Sequence, residues 1–303
     1  MTAPPLVSIG LPVYNEERYV AETLDSLLAQ DYENFEIVIS DNASTDRTQE
    51  ICLAYAARDP RVSYHRRATN GGAPENFNDS FRHSAGEYFT WASGHDRRAP
   101  SAIRECVQVL EVRRDVILCY PRSFLEDYTG QIVELDDDRL ETTGLGTGRR
   151  LDATIRKFGR YNAFHGVIRS SALRRTRLCQ PCFGPDNVLL AELSVLGLVH
   201  QIEPRLFIRT ENRPPESSDA AAERLIVLLG LTNGRGTKRP YTYMVWQYLL
   251  GIWHVAAGVR AKLSLTAVGL RALFSVWHRV VLNECFPRLM STGRVAKRLL
   301  SSS

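Results

Sequence analysis

Residues 7–16 read VSIGLPVYNE, and this stretch decides the fold class of the chain. An apolar, β-prone run passes directly into the polar residues Tyr14, Asn15 and Glu16. Residues 35–46, FEIVISDNASTD, repeat the plan of a strand followed by polar loop residues. Apolar side chains at helical spacing lie between the two runs, and this strand, helix, strand order is typical of a parallel sheet covered by helices.

The alternation of strands and helices extends over the first 120 residues or so. The sequence predicts helices at 16–29, 46–58, 74–84 and 101–113, and strands at 6–11, 35–40, 62–66, 88–92 and 116–121. A hairpin turning at Thr129-Gly130 and a polar stretch to about Arg150 then break the pattern. A helix at 186–196 and an extended segment at 199–209 follow. We therefore expect a mostly parallel sheet built from the first half of the chain.

The composition is that of an ordinary globular protein. The chain has 303 residues, 44% of them hydrophobic and 24% charged, which is enough for one large or two small domains. Its six cysteines lack the close, even spacing of a disulfide framework, and the N-terminal residues do not read as a secretory leader. We expect a cytoplasmic protein.

The positive charge is concentrated at the C-terminus. Residues 240–303 contain eight Lys or Arg and one acid, Glu284, whereas residues 1–239 carry a net charge of −3. Two aromatic-rich stretches, 241–259 and 263–281, have the composition of helices that lie in the plane of an anionic membrane. They could equally pack on the body of the protein. We expect no nucleic-acid partner, and a membrane contact would place the protein on the inner face of the membrane.

Polar residues follow each of the first four predicted strands. They are Pro12 to Glu16, Ser40 to Asp46, Asn70-Gly71-Gly72 and Gly94-His95-Asp96. Ligands of open parallel sheets bind beyond the carboxyl ends of the strands, so these four loops should converge on one crevice. A nucleoside needs an aromatic face, an acceptor for a ring N–H, and partners for the ribose hydroxyls. Tyr14, Asp41 and either Asn15 or Glu16 supply those groups. Each residue also has a structural alternative, such as a helix cap at Ser44 or Asp46.

A diphosphate in this crevice requires a cation. No lysine lies at the strand ends, so Asp96 is placed to hold Mg²⁺ or Mn²⁺, and His95 would add a nitrogen ligand that suits Mn²⁺ better. Alternatively, residues 94–96 form a plain polar turn in which Asp96 pairs with Arg97 or Arg98.

At these residues the chain resembles the inverting glycosyltransferases of family 2, which have the GT-A fold. The resemblance is carried by residues 7–16, the loop ending at Asp46, Asn70-Gly71, and residues 84–92 leading to Asp96. Weaker similarity extends the match through 165–169 and 184–186, so that it covers roughly residues 6–215.

The resemblance implies an organisation of the chain. A nucleotide-sugar-binding half at 1–122 and an acceptor-binding half at 123–239 would form one GT-A domain, followed by a basic amphipathic helical region at 240–303. The activity implied is that of a hexosyltransferase-like enzyme of cell-envelope polysaccharide or glycolipid synthesis. Its donor would be a nucleotide-diphosphate sugar, and its acceptor a saccharide or lipid-linked hydroxyl.

The resemblance also assigns roles to residues. Asp46 would support the second loop, Asp96 would carry the metal and the diphosphate, and Asp186 would be the catalytic base, unless it only caps its helix. Contacts to the base and ribose would come from Pro12, Tyr14, Asn15, Glu16 and Asp41.

Three further residues are less specific candidates. Arg209 and Arg213 would close over the phosphates or remain surface arginines, and His165 would line the acceptor pocket or be structural.

One position departs from the family pattern. The family usually has an acid immediately before the metal-binding aspartate, and this chain has His95. Either the site tolerates a histidine there, or the protein is a non-catalytic relative that binds nucleotide sugars or glycolipids. A dinucleotide-binding dehydrogenase is excluded, because no Gly-x-Gly-x-x-Gly follows the first strand.

Overall fold

The first four strands of the protein form a parallel sheet. The computed structural model describes residues 3–136, 139–157, 162–211, 214, 224–231 and 239–285. Strands β1 (Val7–Val13), β2 (Phe35–Asp41), β3 (Val62–Arg66) and β4 (Tyr88–Trp91) lie in the order β3-β2-β1-β4. All four therefore present their carboxyl ends at one edge.

The second half of the chain extends the same sheet. Its strands are β5 (Arg97–Arg98), β6 (Val116–Glu126), β7 (Ile132–Leu135), β8 (Val167–Arg169) and β9 (Leu198–Thr210). Strand β8 runs antiparallel between β4 and β6, and β9 runs parallel to β6. Strand β5 pairs with β9, so the chain after β4 crosses to the edge of the sheet opposite β3. The hairpin β6–β7 turns at Gly130, whose φ is 87°.

Helices cover both faces of the sheet. They are α1 (Val20–Leu28), α2 (Thr48–Arg58), α3 (Ala73–Arg82), α4 (Ala102–Val112), α5 (Thr147–Arg156), α6 (Ser170–Leu173), α7 (Pro185–Leu196), α8 (Pro240–Val255) and α9 (Val259–Cys285), with a 3₁₀ turn at Asn162–His165. Helices α1, α2 and α4 bury one core with the alternate residues of β1 and β2. Helices α3, α6 and α7 and the 3₁₀ turn bury a second core on the opposite face.

The two long C-terminal helices pack on the body of the protein. Their buried side chains, among them Met244, Tyr248 and Leu273, share a third apolar cluster with Leu151 of α5 and Val188 of α7. Large apolar side chains nevertheless stay exposed on the outer face of α8 and α9: Trp246, Leu250, Trp253, Val259, Leu263, Leu270 and Phe274. Neither α8 nor α9, nor any other described helix, combines the length and apolarity needed to cross a membrane.

Most helices and strands lie within a few residues of the bounds predicted from the sequence, but some do not. Helix α1 begins at Val20, because backbone N–H groups of the preceding turn bond to side chains after β2. Strand β8 has only three residues, and α5 begins at the end of the polar stretch predicted to reach about Arg150. Both owe their structure to tertiary packing, which a local pattern does not show.

Candidate functional site

Hydrogen bonds tie the loop after β1 to the loop after β2. Asn15 has a φ of 55°, a left-handed conformation that asparagine tolerates. Its backbone N–H donates to Ser44 Oγ at 3.0 Å, and its side-chain Oδ1 accepts from the Thr45 N–H at 2.8 Å. Asp46 accepts from the N–H groups of Thr48 and Glu17. These bonds fix Tyr14, whose ring is 42% exposed, at the edge of the crevice.

The loops after β2 and β3 are joined in the same way. Asn42 donates from Nδ2 to Asn70 Oδ1 at 2.8 Å and accepts from the Gly71 N–H at 2.9 Å. Gly72, with a φ of 84°, then begins the turn into α3 and packs closely against Gly230. Three consecutive loops are therefore held as one surface, and we call the loop residues 14–16, 41–46, 67–72 and 92–96 the strand-end rim.

Asp41 lies beneath this surface, with no exposed area. Its Oδ1 accepts from the Ser44 N–H and Oγ at 2.8 and 2.6 Å, and its Oδ2 accepts from the Tyr64 hydroxyl at 2.6 Å. The Arg66 guanidinium lies 3.5 Å from the same oxygen. Burial and the hydrogen bond to Asp41 raise the pKa of Tyr64. Both carboxylate oxygens of Asp41 therefore already have protein partners.

The loop after β4 meets the loop after β1 through a histidine and a glutamate. His95 Nδ1 lies 3.0 Å from Glu16 Oε1, and the absence of a side chain at Gly94 makes room for Glu16. Burial disfavours the charged imidazolium, but the hydrogen bond with Glu16 and the nearby negative charges outweigh it and raise the pKa of His95. This pair completes the strand-end rim.

Asp96 is nearly buried, and among the described residues only one of its carboxylate oxygens accepts a hydrogen bond. Oδ1 accepts from the Thr210 backbone N–H at 3.0 Å, and no described residue donates to Oδ2. Neither neighbouring arginine bonds to it, because Arg97 pairs with Glu22 and Glu126 and Arg98 points into the protein. The plain polar turn in which Asp96 pairs with one of these arginines is therefore not formed.

The residues present fit a divalent cation that takes one or two ligands from the protein and the others from substrate phosphates and water. The described chain contains no group of three His, Cys, Asp or Glu side chains able to enclose a metal ion. Asp96 Oδ2 offers one hard oxygen ligand, and His95 bonds to Glu16 through Nδ1 while none of the residues that the structure describes bonds to its Nε2. Mg²⁺ and Mn²⁺ are commonly held by one or two carboxylates together with substrate phosphates, which is the set this site could complete.

His165 ends the 3₁₀ turn Asn162–His165, and the charge of Asp96 acts on its ring. Its Nδ1 is 3.2 Å from the Trp91 carbonyl oxygen, and its ring stacks on Phe207 with centroids 5.4 Å apart. Burial lowers the pKa of His165 to about 4, so the ring is neutral at physiological pH. Buried Arg98 holds the same turn, since it donates to the carbonyl oxygens of Trp91 and His165 at 2.6 and 2.9 Å.

Asp186, the candidate base, lies in the first turn of α7. Gly184, with a φ of 58°, and Pro185 start the helix, and Asp186 Oδ1 accepts from Asn187 Nδ2 at 3.1 Å. Burial raises the pKa of Asp186, while the hydrogen bonds of Asn187 and the charge of Arg209 oppose the change. A carboxylate whose ionised form is destabilised by burial is a stronger base than a solvated one.

Arg209 lies near the end of β9, within electrostatic reach of both halves of the crevice. Its positive charge acts on His95 and His165 as well as on Asp186. The charge of Asp96 acts on the same two histidines. The structure thus brings Asp96, His165, Arg209 and Asp186 into one neighbourhood. Arg213, the second lid candidate, lies outside the described residues, and Pro12 is a buried strand residue opposite Ser40.

Sequence reasoning missed four residues that shape the site. Tyr64 and Arg66 contact Asp41, Arg98 holds the His165 turn, and the Thr210 backbone orients Asp96. The parallel register of β2 and β3, which places Arg66 opposite Asp41, could have indicated the first two. The other two belong to elements whose pairing has no local sequence signal.

Comparison with known proteins identifies the architecture. The sequence profile of glycosyl transferase family 2 matches residues 8–182. An uncharacterised glycosyltransferase of Rickettsia typhi is 38% identical over 119 residues, which are 39% of this chain and 36% of that protein. The putative glycosyltransferase EpsE of Bacillus subtilis is 35% identical over 115 residues, 38% of this chain and 41% of EpsE. The chain thus matches little more than a third of these relatives' length.

Solved structures share the fold over most of the chain. Residues 1–349 of S. aureus TarS, in complex with UDP-GlcNAc, align with a TM-score of 0.64 and 16% identity over 92% of this chain and 79% of TarS. The mannosyltransferase PcManGT of Pyrobaculum calidifontis, in complex with GDP-Man and Mn²⁺, aligns with a TM-score of 0.54 and 16% identity over 94% of this chain and 85% of PcManGT. The curled, mostly parallel sheet flanked by helices is the GT-A fold.

Proposed function

The chain belongs to glycosyl transferase family 2, and on this premise we propose that it transfers a sugar from a nucleotide-diphosphate sugar to an acceptor hydroxyl with inversion. The observation that carries the proposal is the strand-end rim, in which hydrogen bonds join four loops beside Asp96. The neighbours TarS and PcManGT bind UDP-GlcNAc and GDP-Man, which supports a donor of this class. The acceptor would be a saccharide or a lipid-linked saccharide.

In this mechanism Asp186 is the base. Its carboxylate takes the proton of the acceptor hydroxyl as that oxygen attacks the anomeric carbon from the face opposite the nucleotide. The raised pKa of Asp186 makes it a better proton acceptor, and Arg209 keeps positive charge near the ionised form. Direct displacement from the opposite face inverts the anomeric configuration.

The donor would lie along the strand-end rim. Tyr14 offers an exposed ring to the base, while Asn15, Glu16 and the Asn70-Gly71 turn offer polar groups to the ribose and phosphates. Asp96, with His95 as a second candidate, would hold Mg²⁺ or Mn²⁺, which when bound supplies positive charge to the departing diphosphate. Arg209 would add a fixed cation on the opposite side of the diphosphate.

The assignment of Asp186 is tested by Asp186→Asn. We expect loss of at least 10²-fold in sugar transfer, the lower end of what general-base catalysis contributes. Binding of UDP, measured by calorimetry, should be unchanged because Asp186 lies on the acceptor side. Glu105→Gln, in the first turn of α4 on the other face of the sheet, is the matched control and should keep full activity. Full activity of Asp186→Asn would refute the assignment.

Metal use is tested by titrating UDP-GlcNAc and GDP-mannose with and without Mn²⁺. We expect Mn²⁺ to strengthen binding in the wild-type protein and in Asp136→Asn, but not in Asp96→Asn. Asp136 serves as the control because its carboxylate is paired with surface arginines. Equal affinity in EDTA would contradict the metal proposal. Binding without turnover in every condition would favour the non-catalytic relative that His95 suggests.

We also propose that the outer face of α8 and α9 contacts an anionic membrane surface. Exposed aromatic and aliphatic side chains form a stripe there, and Lys262 lies over the Trp253 ring at 5.6 Å. An amphipathic helix with cations beside such a stripe binds in the plane of an anionic bilayer. This contact would hold the protein on the inner face of the membrane, where lipid-linked acceptors of cell-envelope polysaccharide or glycolipid synthesis would be within reach.

The membrane contact is tested by sedimentation with vesicles of phosphatidylglycerol and phosphatidylcholine. The double substitution Trp253→Glu and Phe274→Glu should abolish sedimentation, because it places carboxylates in the apolar stripe facing the anionic lipid. Both side chains are exposed, so the fold should survive. Val112→Glu, on the distant helix α4, is the matched control for adding an acid at an exposed apolar position. Wild-type protein that ignores such vesicles would exclude this contact.

A further inference from the structure

A buried ion pair connects the helix that carries Asp186 to the C-terminal helix α8. Glu192 of α7 is 1% exposed and Arg177 is 16% exposed at the side chain. Arg177 donates from its backbone N–H to Glu192 Oε2 and from Nε to Glu192 Oε1, both at 2.8 Å. A buried charge of this kind is retained at a desolvation cost and is strongly destabilising when left alone, so its partners are held together.

Gln247 of α8 completes the arrangement. The Arg177 guanidinium donates to Gln247 Oε1 at 2.9 Å and to the Gln247 backbone carbonyl oxygen at 2.6 Å. Helix α8 approaches closely because residue 251 is glycine, since a Cβ there would lie 2.5 Å from Glu192 Oε1. We call Arg177, Glu192 and Gln247 the Arg177 network.

The network fixes the segment that leads into Asp186. Residues 177–184 contain two left-handed positions, Leu178 at φ 59° and Gly184 at φ 58°, so little regular structure supports them. Their other anchor is Asn78 of α3, whose side chain bonds to both backbone groups of Cys179 at 2.9 Å. Helix α3 begins directly after the Asn70-Gly71 turn of the strand-end rim.

These contacts relate the two sides of the proposed site to each other. The segment before α7 is tied to the nucleotide side through Asn78 and to α7 itself through Glu192. Arg177, which bonds to Glu192 of α7, also donates to Gln247 of α8. A shift of Arg177 would therefore disturb the short segment that leads from Arg177 into α7.

We propose that the Arg177 network positions Asp186 for catalysis and makes helix α8 a required part of the acceptor side of the site. Arg177, Glu192 and Gln247 are positioning residues, since they act through the start of α7. The inference rests on the proposed function. The claim that the network holds the segment before α7 can be measured without any substrate.

The first test compares full-length variants by hydrogen exchange with mass spectrometry. The double substitution Arg177→Met and Glu192→Leu removes both buried charges together, which often preserves stability where a single change does not. Gln247→Leu is the milder variant, because the backbone oxygen of residue 247 still accepts from Arg177. We expect faster exchange in residues 178–190 of both variants and unchanged exchange in residues 40–46. Unchanged exchange in 178–190 would overturn the inference.

The second test measures turnover with UDP-GlcNAc or GDP-mannose, whichever the wild-type protein uses. We expect kcat of the double variant to fall roughly 10- to 100-fold, the effect of a small misplacement of a reacting group. KM for the donor and the affinity for UDP should stay unchanged, and the acidic limb of the kcat profile against pH should move. Loss of stability alone would not move that limb.

Ile103→Ala is the control for general destabilisation. Ile103 is fully buried in the core on the opposite face of the sheet, so this change should lower the melting temperature without shifting the pH profile. An unchanged kcat in the double variant would overturn the inference even if exchange in 178–190 increased. A wild-type protein that turns over neither donor would count against the proposed function, and exchange alone would then decide whether the network holds the segment.

Discussion

At the scale of single residues, burial decides what the polar groups of the site can do. Asp41 reads from sequence as a group for the nucleoside, but Ser44, Tyr64 and Arg66 surround its carboxylate. Asp96, in a loop of similar polarity, has one carboxylate oxygen to which no residue in the described part of the chain donates. Both are aspartates at or beyond the end of a parallel strand, so the difference between them lies in the side chains that surround each carboxylate.

His165 gives a prediction about pH at this scale. Its pKa is about 4 in the folded protein, because burial disfavours the charged ring, and 6.5 when unfolded. Both states are neutral above pH 7, whereas the unfolded chain gains a proton first as the pH falls below 6.5. Protonation of His165 in the unfolded chain therefore lowers the free energy of unfolding as the pH falls from 6.5 towards 4. Between pH 7 and pH 5 the loss is about 2 kcal/mol.

The measurement is denaturant unfolding of wild type and His165→Asn at the two pH values. The wild-type protein should lose about 2 kcal/mol more than the variant on going from pH 7 to pH 5. The difference between the proteins isolates His165 from other titrating groups, including His95, whose raised pKa acts in the opposite direction. Equal losses in the two proteins would show that the ring is not buried in its neutral form.

At the scale of elements, close packing fixes where the first strands and α3 lie. A Cβ at Gly10 of β1 would lie 2.5 Å from Phe89 of β4 and 2.6 Å from Ser80 Oγ of α3. The strand residue must therefore be glycine for α3 and the Phe89 ring to approach the sheet. The close packing of α3 on the sheet also positions the turn before α3, where Asn70 bonds to Asn42 of the loop after β2.

Gly10→Ala should destabilise the protein by about 2 kcal/mol, because overpacking a tight core position forces neighbouring atoms apart. Gly148→Ala is the matched control, since a Cβ at residue 148 of α5 meets its nearest atom at 3.7 Å. That variant should keep or slightly gain stability, as alanine favours a helix. Denaturant midpoints measure both changes, and equal midpoints would contradict the packing argument.

At the scale of the whole molecule, the C-terminal helices are part of the folded body. Helices α8 and α9 bury an apolar cluster with α5 and α7, and the Arg177 network joins α8 to α7. Their outer face remains apolar and aromatic. The two alternatives drawn from the sequence, packing on the body and contact with a membrane, are therefore compatible, because they use opposite faces of the same helices.

Deletion of residues 240–303 should for this reason damage the rest of the protein. It would expose Leu151, Ile155 and Val188, which are fully buried, and leave the Arg177–Glu192 pair without Gln247. We expect a melting temperature lowered by several degrees, aggregation in size-exclusion chromatography and binding of a hydrophobic dye. A shortened chain that stays monomeric with an unchanged melting temperature would show that the cluster contributes no stability.

The local sequence determined the parallel first half, because β1 and β2 are largely apolar runs and α1 and α4 carry apolar residues at helical spacing. It also determined that polar residues follow four strands in a row. Pairings between distant segments are not encoded in this way. The three-residue strand β8, the two-residue strand β5 and the polar helix α5 exist because other elements cover them.

Tertiary structure alone decided which polar side chains are surrounded by protein groups and which residues of the first and second halves lie near one another. Asp96, His165, Asp186 and Arg209 are separated by up to 113 positions in the sequence, yet the charges of Asp96 and Arg209 act on His165, and the charge of Arg209 acts on Asp186. Side-chain burial and long-range hydrogen bonds arise from the packed state. The order of the strand-end loops follows from local sequence pattern, whereas the pKa values, the burial of Asp41 and the Arg177 network depend on contacts that form only on folding.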